Sequence, residues 1–135
     1  MKTGLIYLLT ITTMLSFIGS YFLGITVENS KEYIALGLVI FVDGFFGIWA
    51  GCIREGFKTY KAIKVLKTFI FWTILLTTLL AVEKSYMEVS WLSQTVLIPF
   101  LVFQIVSILK NATMAGFVKR DFLQDMLKNI DKHKE

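Results

Sequence analysis

The sequence predicts an all-α integral membrane protein: four transmembrane helices with both termini on the cytoplasmic side, followed by a C-terminal amphipathic cytoplasmic helix. Three observations predict it. The composition is 56% hydrophobic and 15% aromatic with 18% charged residues, which is not that of a soluble domain. The apolar residues fall into four blocks, each near the roughly 20 residues a helix needs to cross about 30 Å of hydrocarbon. The lysines and arginines accumulate in alternate connecting segments, the bias that orients membrane proteins.

The blocks are bounded by charge. Lys2 and Glu28 bracket the first, with a span at about 4–24. Lys2 ahead of an apolar stretch that reaches Gly19 and Ser20 has the outline of a cleavable signal, but the apolar part is too long and its small-residue spacing poor, so retention is expected. Glu32 and Arg54 bracket the second, at about 33–53, interrupted only by Asp43. Lys67 and Glu83 bracket the third, at about 66–82; it is short, and Lys64 and Lys67 are expected to reach the interface along their stems. Glu88 and Lys110 bracket the fourth, at about 89–109, with Pro99 midway, where it frees the carbonyl of Thr95 and can kink the helix. Residues 1–110 thus form the transmembrane region, and 111–135 remain for a tail. In that tail Val118, Phe122, Met126 and Ile130 recur every four residues with Leu123 and Leu127 beside them, opposite a mixed-charge face, which suits a helix lying on the inner leaflet or on a neighbouring subunit.

Counting Lys and Arg outside the spans gives one before the first, one between the first and second, five in Arg54, Lys58, Lys61, Lys64 and Lys67, one before the fourth and six after it. This alternation places the N-terminus, the Arg54–Lys67 segment and the tail inside. Glu28, Glu32, Glu83 and Glu88 supply both outer connections with acids. The net charge of +4 is therefore read as topology and not as a nucleic-acid surface.

Catalytic chemistry finds no support. No Ser-His-Asp set, phosphate loop or metal cluster occurs, so no enzyme activity, metal or cofactor is expected. His133 lies in the charged end "DKHKE", the single cysteine, Cys52, allows no internal disulfide, and the Asn111-Ala112-Thr113 sequon is inert on the cytoplasmic side.

The polar and small residues inside the spans are the candidates for function, because helices in lipid associate through close packing and hydrogen bonds and not by hiding apolar surface. Asp43, Gly47 and Gly51 share a face of the second span, with Gly44 and Ala50 beside them, and Gly47 to Gly51 is a GxxxG. The first span carries Thr12, Thr13, Ser16, Gly19 and Ser20, the third Thr73 and Thr77, the fourth Gln104, Ser107 and Asn111. Hydroxyls can bond the carbonyl one turn back, so the threonines have a bland reading; the amide of Gln104 has more donors and acceptors than its own helix satisfies. An ionised acid at the bilayer centre costs roughly 2.5 to 3.5 kcal/mol. Counted by depth, Asp43 is level with Thr12, Thr13, Thr73 and the Thr95–Pro99 bend, where no basic residue lies, so Asp43 is expected to be protonated or wetted, hydrogen-bonded across a helix contact or facing an aqueous lumen. Asp43, Gly44, Gly47, Gly51, Thr73, Gln104, Ser107 and Asn111 are the expected helix-packing or pore-lining residues.

Two stretches carry a family resemblance. Asp43-Gly44-Phe45-Phe46-Gly47, with a basic segment and Lys67 after it, resembles the D-x-x-T-G and downstream lysine of a phage lysis and toxin-secretion holin family. "FQIVSILKNATMAGF" resembles that family's E-x-x-S-I-x-E-N and following glycine, through Ser107, Ile108, Asn111 and Gly116. The resemblance spans roughly Val39 to Leu127. Phe46 stands in place of the threonine, Gln104 and Lys110 in place of the two glutamates, and the proline usual after the tail glycine is missing. The resemblance implies a small multi-pass protein that homo-oligomerises in the bacterial cytoplasmic (inner) membrane and opens holes through which a muralytic enzyme or toxin passes. Two other readings of the residues stay open: a membrane scaffold or accessory subunit of a larger complex, and a small ion or proton channel with Asp43 as its proton-binding group.

Overall fold

A computed structural model describes residues 1–134; Glu135, the last residue of the charged tail, lies outside the described residues. Five α-helices follow one another: α1 (Lys2–Glu28), α2 (Ser30–Glu55), α3 (Thr59–Ser85), α4 (Leu92–Met114) and α5 (Arg120–Lys134), with a single 3-10 turn, Met87–Val89, before α4. No strand occurs among the described residues. The helices α1, α2 and α3, and the segment Met87–Met114 containing α4, are each long and apolar enough to cross a membrane. Their length has a physical reason: without water in the hydrocarbon, each backbone amide must bond within its own helix.

The core lies between α2, α3 and α4. Leu36 and Ile40 of α2, Leu76 and Leu80 of α3 and Leu97 of α4 are buried together with Ile25 of α1. Trp72 stacks on Phe100 with ring centroids 3.6 Å apart, and the Tyr33 hydroxyl and Thr77 Oγ1 are 2.6 Å apart across α2 and α3. Pro99 lies within α4, which is continuous around it. Helix α1 joins this core only near its last turns: residues 1–23 are exposed throughout, Ile25 is buried, and Lys84 reaches Glu28 at 3.4 Å and the ring of Tyr21. Side chains such as Leu8, Leu15 and Phe17 project from it without cover, as lipid-facing residues do.

The connections explain how the helices stop. Gly56 (φ 82°) ends α2, and only three residues separate α2 from α3. At the other end of the bundle the Glu83 carboxylate accepts the Ser93 backbone N–H at 2.6 Å, placing negative charge on one of the free amides of the α4 N-terminus. Helix α4 closes in a Schellman turn: Phe117 N–H donates to the Ala112 carbonyl and Gly116 N–H to that of Thr113, with Gly116 at φ 85°. Phe117 then packs edge-on to Phe46 and Trp49 of α2, its ring centroid 5.5 Å from each.

The depth expected for Asp43 is corrected. Helix α3 begins at Thr59, so its first two turns, which carry Lys61 and Lys64, lie against α2. Gly44 faces Val65 and not Thr73, eight residues further along α3, a displacement of about 12 Å at 1.5 Å per residue. On α4 the neighbour of Asp43 is Asn111 and not the Thr95–Pro99 bend. Charge-free runs locate hydrocarbon, whereas helices extend past it, and the offset between helices is set by packing that a run count does not contain.

Candidate functional site

The helices α2, α3 and α4 leave a cleft of about 440 Å³ between them, and most of the expected site residues line it: Asp43, Gly44, Gly47, Gln104 and Asn111, with Lys61 and Lys64. The glycines explain how the helices come together. A Cβ on Gly44 would lie 2.5 Å from Val65 Cγ2, one on Gly47 would lie 3.4 Å from Asn111 Nδ2, and one on Gly51 would collide with the Lys61 ammonium. The α2 glycine face is thus occupied within the protomer, by α3 at Gly44 and Gly51 and by α4 at Gly47.

Asp43 is half-buried, and its Oδ1 accepts a hydrogen bond from Asn111 Nδ2 at 3.3 Å. The same nitrogen lies 3.4 Å from Ser107 Oγ, so carboxylate, amide and hydroxyl form one polar chain between α2 and α4. Hydrogen bonds of this kind hold membrane helices together by about 0.6 kcal/mol on average, up to about 1.7. Gln104 lines the same cleft one turn back from Ser107, and its amide has no hydrogen-bond partner among the described residues. Thr73 stands apart: it does not line the cleft, and its buried Oγ1 has no partner among the described residues. Ser107 joins the cleft through Asn111, and Gly51 lies beside it under Lys61.

The basic segment divides into two groups. Lys58 lies 3.0 Å from Glu55, and that carboxylate holds its ammonium above the usual lysine range. Lys61, half-buried, reaches the same carboxylate at 4.0 Å, the outer limit of an ion pair. Arg54, Lys64 and Lys67 are exposed, and Lys64 has no salt bridge among the described residues although it lines the cleft.

The hydroxyls of α1 take the bland alternative. Thr12 and Thr13 donate to the carbonyls of Leu8 and Leu9, and Ser16 to that of Thr12, each at 2.8 Å, and all three are exposed and do not line the cleft. Sequence reasoning missed the α3 wall, formed by Tyr60, Lys61, Lys64, Val65 and Thr68. Its i, i+1, i+4, i+5, i+8 spacing is that of one helix face, but a span beginning near 66 left most of it in a loop.

The two stretches that carry the family resemblance, 68 residues apart at Asp43 and Asn111, are in contact. No curated protein and no solved structure matches the chain. The model of the bacteriophage holin family matches residues 17–132, from the middle of α1 into α5. With four helices apolar enough to span a bilayer and a family match over most of its length, this chain is a multi-pass membrane protein belonging to the bacteriophage holin family.

Proposed function

We propose that the protein is a pore-forming holin: it accumulates in the bacterial cytoplasmic membrane, assembles into homo-oligomers and opens passages through which an endolysin or a secreted toxin leaves the cytoplasm. The observation that carries this reading is the polar cleft inside a lipid-facing bundle, where Asp43, Gln104, Ser107 and Asn111 gather on α2 and α4 of a family member. Polar and ionisable groups in hydrocarbon are costly and are retained where water or a partner meets them. Once several copies surround an opening, these groups supply a lining that water tolerates.

In this reading both termini, the Arg54–Lys67 segment and α5 face the cytoplasm, on the side where basic residues accumulate. Helix α5 places Phe122, Leu123, Met126, Leu127 and Ile130 along one side and its charges on the other, and acts as an amphipathic inner-leaflet helix. Asp43, Gln104, Ser107 and Asn111 serve the lining, Gly44, Gly47 and Gly51 the close helix approach, and Thr73 a helix contact remote from the lining.

Inducible expression in a bacterium that also makes a cytoplasmic endolysin tests the proposal. Growth is expected to stop abruptly and the culture to clear, and Asp43→Leu to delay or abolish clearing at equal membrane abundance. Slow toxicity without enzyme release assigns the protein to the ion-channel class. No toxicity, with one larger partner copurifying, assigns it to the scaffold class.

A further inference from the structure

The cleft between α2, α3 and α4 has a chemistry that a water-filled lining does not use. Its α3 wall presents two ammonium groups three residues apart, Lys61 and Lys64. Lys64 has no ion pair among the described residues, and Lys61 shares Glu55 with the closer Lys58. The facing wall presents Gln104, whose amide is unpartnered among the described residues, and Asp43, which among them is bonded through Oδ1 alone. Between these polar groups run Ile40, Ile48 and Val65. A cleft that is cationic on one side, amide and carboxylate on the other and apolar along its length fits an amphiphile better than a free ion.

We propose that this cleft binds the phosphodiester headgroup of an anionic phospholipid, of the phosphatidylglycerol type. Lys61 and Lys64 receive the phosphate charge as point donors. Asp43 and the Gln104 carbonyl accept hydrogen bonds from headgroup hydroxyls, and the isoleucines border the start of the acyl chains. The carboxylate sets the selectivity. It repels a bare dianionic phosphate, whereas a monoanionic diester whose far end carries hydroxyl donors satisfies both walls at once. Basic pockets between membrane helices at the cytoplasmic interface are sites where anionic headgroups bind. Gly51 is part of the arrangement, because its missing side chain leaves room for the Lys61 ammonium against α2. The lipid site does not depend on pore formation, and its test reads lipid and not lysis.

The test is native mass spectrometry of the full-length protein in a neutral detergent, titrated separately with phosphatidylglycerol, phosphatidylethanolamine, phosphatidylcholine and inorganic phosphate. Phosphatidylglycerol is expected to remain bound at collision energies that strip phosphatidylcholine. The double variant Lys61→Gln/Lys64→Gln is expected to lower its occupancy about tenfold, whereas Lys58→Gln/Lys67→Gln, outside the cleft, leaves it within about twofold. The charge-keeping pair Lys61→Arg/Lys64→Arg is expected to retain binding, which separates lost charge from lost folding. Equal retention of phosphatidylglycerol and phosphatidylcholine, or an equal loss in the Lys58/Lys67 variant, overturns the proposal. Preference for phosphatidylethanolamine overturns it in favour of a headgroup ammonium on Asp43. Displacement of bound phosphatidylglycerol by millimolar inorganic phosphate overturns it in favour of a soluble anion.

Discussion

Asn111 of α4 donates its side-chain amide to Asp43 of α2 at 3.3 Å, bridging two segments 68 residues apart, while Ser107 lies 3.4 Å from the same nitrogen. The carboxylate that interrupts an otherwise apolar helix therefore has a partner inside its own protomer.

Removing that partner has a bounded cost. Asn111→Ala leaves Asp43 with one bond fewer and is expected to destabilise the α2–α4 contact by about 0.6 to 1.7 kcal/mol. Asn111→Asp, which sets a second carboxylate beside Asp43, is expected to cost more, because like charges at that distance repel in a low-dielectric setting. Unfolding of the purified protein in mixed detergent micelles measures both, and an unchanged midpoint for Asn111→Ala refutes the expectation.

The glycines of α2 are expected to differ sharply from one another. Gly44→Ala meets both γ methyls of Val65, at 2.5 and 2.7 Å, with Cβ behind them at 3.2 Å so that no rotation of the side chain clears the space, and should cost about 1 to 3 kcal/mol through overpacking. Gly51→Ala meets only the far end of the flexible Lys61 side chain, and its stability should stay within about 0.5 kcal/mol of the parent. The cycle with Val65→Ala gives the decisive readout: the double variant Gly44→Ala/Val65→Ala should recover part of the stability that Gly44→Ala loses.

Gly116 sets the direction in which the chain leaves α4. At φ 85° an L side chain is strained by about 1 to 2 kcal/mol, and the Schellman turn that seats Phe117 against Phe46 and Trp49 depends on it. Gly116→Ala is expected to speed tryptic cleavage at Lys119 and Arg120 several-fold, and Gly116→Asn, which tolerates this backbone better, is expected to do so less. Cleavage rates in detergent-solubilised protein decide it.

The orientation is testable without a pore. In a Cys52→Ser background, cysteines introduced at Lys31 and Ser85 should react with a membrane-impermeant maleimide in intact spheroplasts, and those at Lys58 and Lys132 only after permeabilisation. Exchanging Arg54, Lys58, Lys61, Lys64 and Lys67 for Gln should produce mixed orientation, since these residues dominate the basic bias before the tail. Uniform labelling after this exchange would show that other signals orient the chain.

Much of the architecture was legible because lipid imposes few choices. Four apolar blocks become four long helices, since no other element satisfies its backbone in hydrocarbon. The grouping of Asp43 with Gly47, and of Ser107 with Asn111, was legible from helical spacing alone. Their meeting was not. Nothing local sets how far α4 slides along α2, and counting depth from the ends of apolar runs placed Asp43 beside Thr73, while the structure sets it near Val65 and Asn111.

What the sequence by itself determined is therefore the all-helical, multi-pass character of the chain and the polar and small residues that each helix carries, because these follow from composition and from a period of 3.6 residues. What the tertiary structure decided is the register. The contact of Gly44 with Val65 brings the first turns of α3, with Lys61 and Lys64, alongside Asp43, and the Schellman turn and Phe117 fix where α4 ends against α2. Side-chain shape at those contacts, summed over three helices at once, selects one offset among many that hydropathy leaves equal, and it is that offset that turns separate polar residues into one cleft.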